Sequence, residues 1–88
     1  MSELQDFLNK NLSTVNFNDY IELLNINIAD IIVNARKEAN MTQKELSEKT
    51  GIQQATISKI ENGTINPSVS MLERIAYGLN KKLIIKFE

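Results

Sequence analysis

The chain has no cysteine, no histidine and no tryptophan, and among its 88 residues only one proline and three glycines. Without cysteine or histidine there is no disulfide framework, no thiol nucleophile and no imidazole acid or base, and the usual ligands of structural zinc are missing. A catalytic role is not expected, nor is a cofactor or a metal. No apolar run approaches the roughly 18 residues of a membrane span. The first nine residues are polar and acidic, unlike the basic and then apolar start of a signal peptide, so the chain reads as cytoplasmic with no membrane partner. No Gly/Ser linker, internal repeat or low-complexity tract divides it, and a chain this short supports one hydrophobic core. A hydrophobic fraction of 42% and a charged fraction of 24% are those of an ordinary globular domain.

The net charge of −1 conceals an asymmetry. Residues 1–30 hold one cation, Lys10, against Glu3, Asp6, Asp19, Glu22 and Asp30, whereas residues 31–88 hold nine Lys and Arg against six Glu. The two parts are suited to partners of opposite sign, although solvated helix faces alone produce such imbalances.

Apolar periodicity points to an all-α chain of about five helices with one short C-terminal β-strand. Leu4, Phe7 and Leu8 form a short first stripe. From Asn18 the stripe Ile21, Leu24, Ile28, Ile31, Ile32, Ala35, Ala39 is stronger, and Asn25 and Asn27 suggest a break, giving helices over 18–25 and 28–39. Arg36 and Lys37 complement the dipole of the last turn, and Asn40 suits a left-handed stop. Thr42 to Glu45 reads as a capping box opening a short helix that Gly51 ends. A helix over Gln53 to Asn62 follows, with Ile57 and Ile60 as its apolar pair. Ser70 to Glu73 reads as another capping box, feeding the stripe Leu72, Ile75, Ala76, Leu79. Residues 82–87 alternate, with Leu83, Ile85 and Phe87 on one face, as a strand does. The expected organisation is an acidic helical extension over 1–26, a central unit over 27–80 and the strand over 81–88.

A short helix, a glycine turn and a second helix over Gln43 to Asn62 amount to a helix-turn-helix. Its requirements are met by a small residue at the crossing, Ser47, glycine at the turn, and Ile52, Ile57 and Ile60 on the inner face. The outer face then holds Gln54, Ala55, Ser58 and Lys59, with Gln53 and Thr56 near its start: amides, hydroxyls and a cation able to reach base edges or phosphates.

The stretch TQKELSEKTGIQQATISKIENG resembles the lambda-repressor and Cro-like (Xre) helix-turn-helix family, in its spacing, its turn and its closing Glu-Asn-Gly. The resemblance implies that the second helix lies in the major groove of double-stranded operator DNA and that the protein acts as a homodimer on paired half-sites. Position by position, it implies that Gln43 binds a phosphate and braces Gln54, that Gln54 reads adenine, and that Ala55 meets a thymine methyl or nothing. Gln53, Thr56, Ser58 and Lys59 would supply further base or phosphate contacts, and Asn62 and the loop carrying Thr64 and Asn66 would lie on the backbone. Arg36 and Glu61 would form a semi-buried ion pair. Two residues depart from the pattern: Ser47 stands where alanine is usual, and Gln53 where Ser or Thr caps the second helix.

Over its whole length the chain resembles HigA-type antitoxins, which repress their own operon and neutralise a small basic ribonuclease of the RelE/HigB kind. This implies a nucleoid-associated bacterial repressor, dimeric through the C-terminal strand, with a toxin as second partner. Two other readings remain: a free-standing regulator of the same family without a toxin, and a protein-interaction adaptor that keeps the fold but no longer binds DNA.

Overall fold

The computed structural model describes residues 16–88. Four helices follow one another: α1 (Phe17–Glu38), α2 (Gln43–Thr50), α3 (Gln54–Glu61) and α4 (Val69–Gly78). The stripe expected at Leu4, Phe7 and Leu8 lies outside the described residues.

Asn16 caps α1, its Oδ1 accepting from Asn18 N–H at 2.7 Å, and Asn40 ends the turn beyond it with φ +54°. The break expected between residues 25 and 28 does not occur, and the two helices of the sequence reading are one helix of 22 residues. Asparagine in a helix interior is less favourable than alanine by only about 0.7 kcal/mol. That penalty is offset where one stripe runs through the site, and Ala29 and Ile32 are buried just beyond it.

The Thr42 capping box is present in full. Thr42 Oγ1 accepts from Glu45 N–H at 3.1 Å, and the Glu45 carboxylate accepts from Thr42 N–H at 3.2 Å. Gly51, at φ +74°, turns the chain after eight helical residues. The corner carries two hydroxyl clamps as well. Ser47 Oγ donates to the Ile52 carbonyl, and Thr50 Oγ1 donates to the Leu46 carbonyl at 2.8 Å while accepting from Ile52 N–H at 3.2 Å. Ser47, a departure from the family pattern, is thus a turn-bracing residue: alanine would leave the Ile52 carbonyl without this donor.

Two further expectations are corrected. The last helix is capped by Ser68, whose hydroxyl accepts from Met71 N–H at 3.1 Å, and not by a box at Ser70. Ser68 directly follows Pro67, whose buried ring anchors the loop there, so the first good cap after the anchor starts the helix. The C-terminal strand is absent. The last backbone hydrogen bond in this region is the one that Lys81 N–H donates to the Ala76 carbonyl, at 2.8 Å. Residues 81–88 continue without a ladder; Leu83 is half-buried, while Ile85 and Phe87 stay exposed. Alternation makes a segment suited to a sheet, but a strand exists only where another segment pairs with it, and none does among the described residues.

The core gathers Ile32, Leu46, Ile52, Ile57, Ile60, Ile75 and Leu79, with Leu46, Ile57 and Ile60 fully enclosed. α3 packs on α1 and α2, and α4 packs on α2. This last crossing is close enough to need glycine: a Cβ on Gly78 would stand 2.6 Å from Thr50 Cγ2 and 3.1 Å from Leu46 Cδ1. Thr50 is buried and held by its hydroxyl, so it has little room to give. Gly78→Ala therefore lowers stability by about 1–2 kcal/mol, overpacking outweighing the gain in helix propensity, and the urea midpoint moves down with the slope unchanged.

Candidate nucleic-acid interface

α3 is divided along its length. Ile57 and Ile60 turn inward, and Gln53, Gln54, Ala55 and Lys59 are exposed, with Thr56 and Ser58 half-buried between them. Gln53 is the N-cap residue, and its side chain makes no cap hydrogen bond. Its amide is too long to fold back onto the first-turn donors in the way that Ser, Thr, Asp or Asn does.

Beyond α3 the chain braces itself. The Asn62 amide oxygen accepts from Thr64 N–H at 3.1 Å, and Thr64 Oγ1 donates to the Lys59 carbonyl at 3.1 Å. Asn62, Thr64 and Asn66 are exposed on this loop, so they stand beside the last turn of α3. Their placement is rigid for a loop, because two side chains close hydrogen bonds to nearby backbone.

The orientation of α3 is held by a polar node joining three helices. Arg36 Nε donates to Glu61 Oε2 at 2.7 Å and Arg36 Nη2 to Glu61 Oε1 at 3.0 Å, a bidentate pair, while Arg36 Nη1 donates to the Met41 carbonyl at 2.8 Å. The Arg36 and Glu61 side chains are 14% and 6% exposed, so the pair is largely withdrawn from water. Hydrogen bonding to Glu61 raises the Arg36 pKa above the ordinary arginine value, against the lowering effect of burial. A cation whose folded pKa is raised contributes stability at every pH below its unfolded value and loses it only as pH rises through the folded one, so this arginine introduces no pH dependence near neutrality.

Gln43 joins the same node. Its Nε2 donates to Glu61 Oε1 at 3.0 Å. This differs from the expected bracing of Gln54, which sits at the opposite end of α3: a carboxylate offers a stronger acceptor than a neutral amide. The structure thus brings Gln43, Arg36 and Glu61 together and keeps Gln53, Gln54, Ala55 and Lys59 on the open side. The hydroxyls of Ser47 and Thr50 hold the turn in front of α3, and their signal in the sequence is the pairing of two small hydroxylated residues with a glycine.

Two short helices fixed at a glycine corner, the second with an apolar inner face and a polar outer one, define a helix-turn-helix DNA-binding domain. The chain matches the family described as helix-turn-helix over residues 32–84, and it belongs to that family of DNA-binding regulators. It is 41% identical over 49 residues to an uncharacterized HTH-type transcriptional regulator of Methanothermobacter thermautotrophicus, covering 56% of this chain and 71% of that protein. It is 37% identical over 51 residues to the uncharacterized HTH-type transcriptional regulator y4dL of Sinorhizobium fredii, covering 58% and 26%. Antitoxin HigA1 of Mycobacterium tuberculosis is 30% identical over 61 residues, covering 69% and 41%. The chain therefore spans about a quarter of the Sinorhizobium protein and about two fifths of the antitoxin. No solved structure matches. Among the described residues no helix is long and apolar enough to cross a membrane.

Two measurements test the local physics. Glu61→Ala strands the Arg36 guanidinium and the Gln43 amide, and is expected to lower unfolding free energy by about 2–4 kcal/mol, the range for removing one partner of a buried pair; a denaturant titration reads it. Gln53→Ser supplies the missing cap and is expected to raise stability by about 0.5–1 kcal/mol, visible as a higher midpoint.

Proposed function

We propose that this chain is a sequence-specific transcriptional repressor that lays α3 in the major groove of double-stranded operator DNA. The observation that carries this is the division of α3, with Ile57 and Ile60 sealed in the core and Gln54, Ala55 and Lys59 left open on the far side. An amide at the first turn of such a helix matches the donor and acceptor pair on the major-groove edge of adenine, so Gln54 is assigned a bidentate base contact. Ala55 offers a methyl contact, and Thr56 and Ser58 offer hydroxyls. Gln53 and Lys59 flank them for bases or phosphates. Asn62, Thr64 and Asn66 on the braced loop, and Gln43 at the start of α2, are assigned to the phosphate backbone, where helix N-termini and short polar side chains set register. Arg36 and Glu61 take no part in reading; they hold the helix that reads. The similarity to HTH-type transcriptional regulators supports this reading.

A second layer is favoured by the similarity to an antitoxin, which extends over more of this chain than the similarity to the regulators does. Asp19, Glu22 and Asp30 leave the N-terminal part of α1 acidic and without a cation from Phe17 to Ala35. Such a surface suits a basic protein, and a ribonuclease toxin that binds RNA phosphates is of that kind. In this reading the repressor also neutralises a small basic ribonuclease. Co-expression with the protein encoded beside it tests this: growth rescue and a co-purifying complex support it, and a neighbour without toxicity overturns it.

Operator selection from random DNA followed by a salt titration tests the DNA reading. The logarithm of the affinity should fall steeply and linearly with the logarithm of salt concentration, by roughly 0.9 per phosphate contacted. An adaptor that no longer binds DNA would select no sequence. Gln54→Ala should weaken operator binding by about 1–3 kcal/mol and relax preference at one base pair of each half-site, whereas Lys59→Ala should weaken all sequences alike.

A further inference from the structure

Of the chain's asparagines only Asn62 is followed by glycine. That pair has a chemistry of its own. The backbone nitrogen after an asparagine can attack the side-chain amide carbon, and glycine, with no Cβ, leaves that nitrogen unshielded. Asn62 is exposed at the end of α3, so water reaches it, yet the folded loop restrains every party to the reaction. Gly63 N–H donates to the Ile60 carbonyl at 3.1 Å. Thr64 N–H donates to the Lys59 carbonyl at 3.0 Å and to Asn62 Oδ1 at 3.1 Å, which holds the side-chain amide toward Thr64. With ψ at 3°, Asn62 keeps the Gly63 nitrogen eclipsed with its own nitrogen and turned away from its Cβ, the side from which ring closure comes.

We propose that Asn62 is a modification site, converted spontaneously to aspartate and isoaspartate when the loop from Asn62 to Thr64 opens, and that the carboxylate formed there lowers the affinity of the domain for a polyanion. Water is the only co-reactant. The Gly63 nitrogen forms a bond to Asn62 Cγ, the Cγ–Nδ2 bond breaks, and Nδ2 leaves as ammonia, taking the proton that Gly63 N–H gives up. Water then opens the five-membered imide. Breaking the bond from the Gly63 nitrogen to Cγ leaves aspartate, and breaking its bond to the Asn62 carbonyl carbon leaves isoaspartate. Both products act against the face that α3 presents. Asn62 is the C-cap of α3, the negative end of the helix dipole, so a carboxylate there is unfavourable and competes for Lys59, three residues earlier. A carboxylate also has no N–H to offer a phosphate. Isoaspartate in addition routes the main chain through Cβ and Cγ, and the added methylene breaks the spacing that brings Thr64 N–H to the Lys59 carbonyl. The effect on affinity rests on the assignment of Asn62 to the phosphate backbone, whereas the chemistry does not.

Peptide mapping of the full chain by mass spectrometry tests the chemistry. Trypsin releases residues 60–74 as one piece, in which the other asparagine, Asn66, precedes Pro67. Proline has no N–H to give up, so the imide route in this peptide is open to Asn62 alone. At mildly alkaline pH the chain unfolded in guanidinium chloride should exchange amide for acid about tenfold faster than the folded chain, or more, because reaction from the native state requires the loop to open. Thr64→Ala removes the hydroxyl bond to the Lys59 carbonyl at an exposed position. Folded, this variant should convert faster than the wild type; unfolded, the two should convert alike. No conversion in the unfolded chain, equal rates in the folded and unfolded wild type, or a folded Thr64→Ala no faster than the wild type each overturns the proposal. The consequence is read with Asn62→Asp on the duplex selected from random DNA, to which it should bind about tenfold more weakly than the wild type, as for the loss of a hydrogen bond to a charged group. Equal binding overturns the effect on affinity. A wild type that binds no DNA overturns the DNA reading and that effect with it, and conversion at Asn62 then stands by itself.

Discussion

An eight-residue helix has almost no stability of its own in water, so α3 exists because Ile57 and Ile60 are enclosed in the core where it packs on α1 and α2. Burying two isoleucines contributes about 1.5–3 kcal/mol each, which is enough to hold two turns of helix and to fix which side faces outward. Everything functional about the domain follows from that enclosure. The polar side of α3 is open to a ligand only because its apolar side is occupied. The hydroxyl clamps of Ser47 and Thr50 on Ile52 matter for the same reason: Ile52 is both the last residue of the corner and the first of the core contacts that seat α3.

Enclosure by apolar side chains alone leaves a short helix free to slide or rotate by small amounts. The Arg36, Glu61 and Gln43 node removes that freedom, because a planar guanidinium engages a carboxylate in two bonds with one geometry and the third bond arrives from α2. Such a pair adds little net stability relative to well-packed apolar residues, since desolvation offsets most of the attraction. Its contribution lies in direction. In the proposed DNA reading, an error of about 1 Å at one end of α3 would displace an amide at the other from a bidentate base contact, so a bond worth more in angle than in energy is of use there.

The molecule has two distinct faces. The face of α3 and the loop from Asn62 to Asn66 is polar, hydrogen-bonded to itself and rigid, as suits a surface that meets a ligand of fixed shape. The groove of α1, α4 and residues 81–86 involves no residue of α3 and is mainly apolar, with Glu38, Lys81, Lys82 and Lys86 among the residues that line it. The two surfaces share no residue, and α1 connects them: its C-terminal turn carries Arg36, and Leu24, Ile28, Ile31 and Ile32 from its earlier turns line the groove.

Local signals in the sequence were sufficient wherever the deciding interaction spans a few residues. The Thr42 to Glu45 box, the Gly51 turn, the left-handed Asn40 and the inner pair Ile57 and Ile60 are all short-range or periodic features, and composition alone argued against thiol, imidazole and zinc chemistry. Where the outcome depended on partners distant along the chain, sequence was silent or misleading. Asn25 and Asn27 read as a break because propensity is local, yet burial of the stripe on either side carries α1 through them. Ser70 read as a cap because it matched a pattern, yet Pro67 anchors the chain so that Ser68 starts the helix. The family resemblance pairs Gln43 with Gln54, but the folded chain offers it the carboxylate of Glu61, 18 residues away. Residues 82–87 alternate as a strand does, and alternation is a property of one segment, whereas a ladder requires two. Sequence by itself determined which elements were possible and which face of each was apolar; tertiary packing decided which hydrogen-bond partners met, because those distances are set by how the helices cross and not by any residue alone.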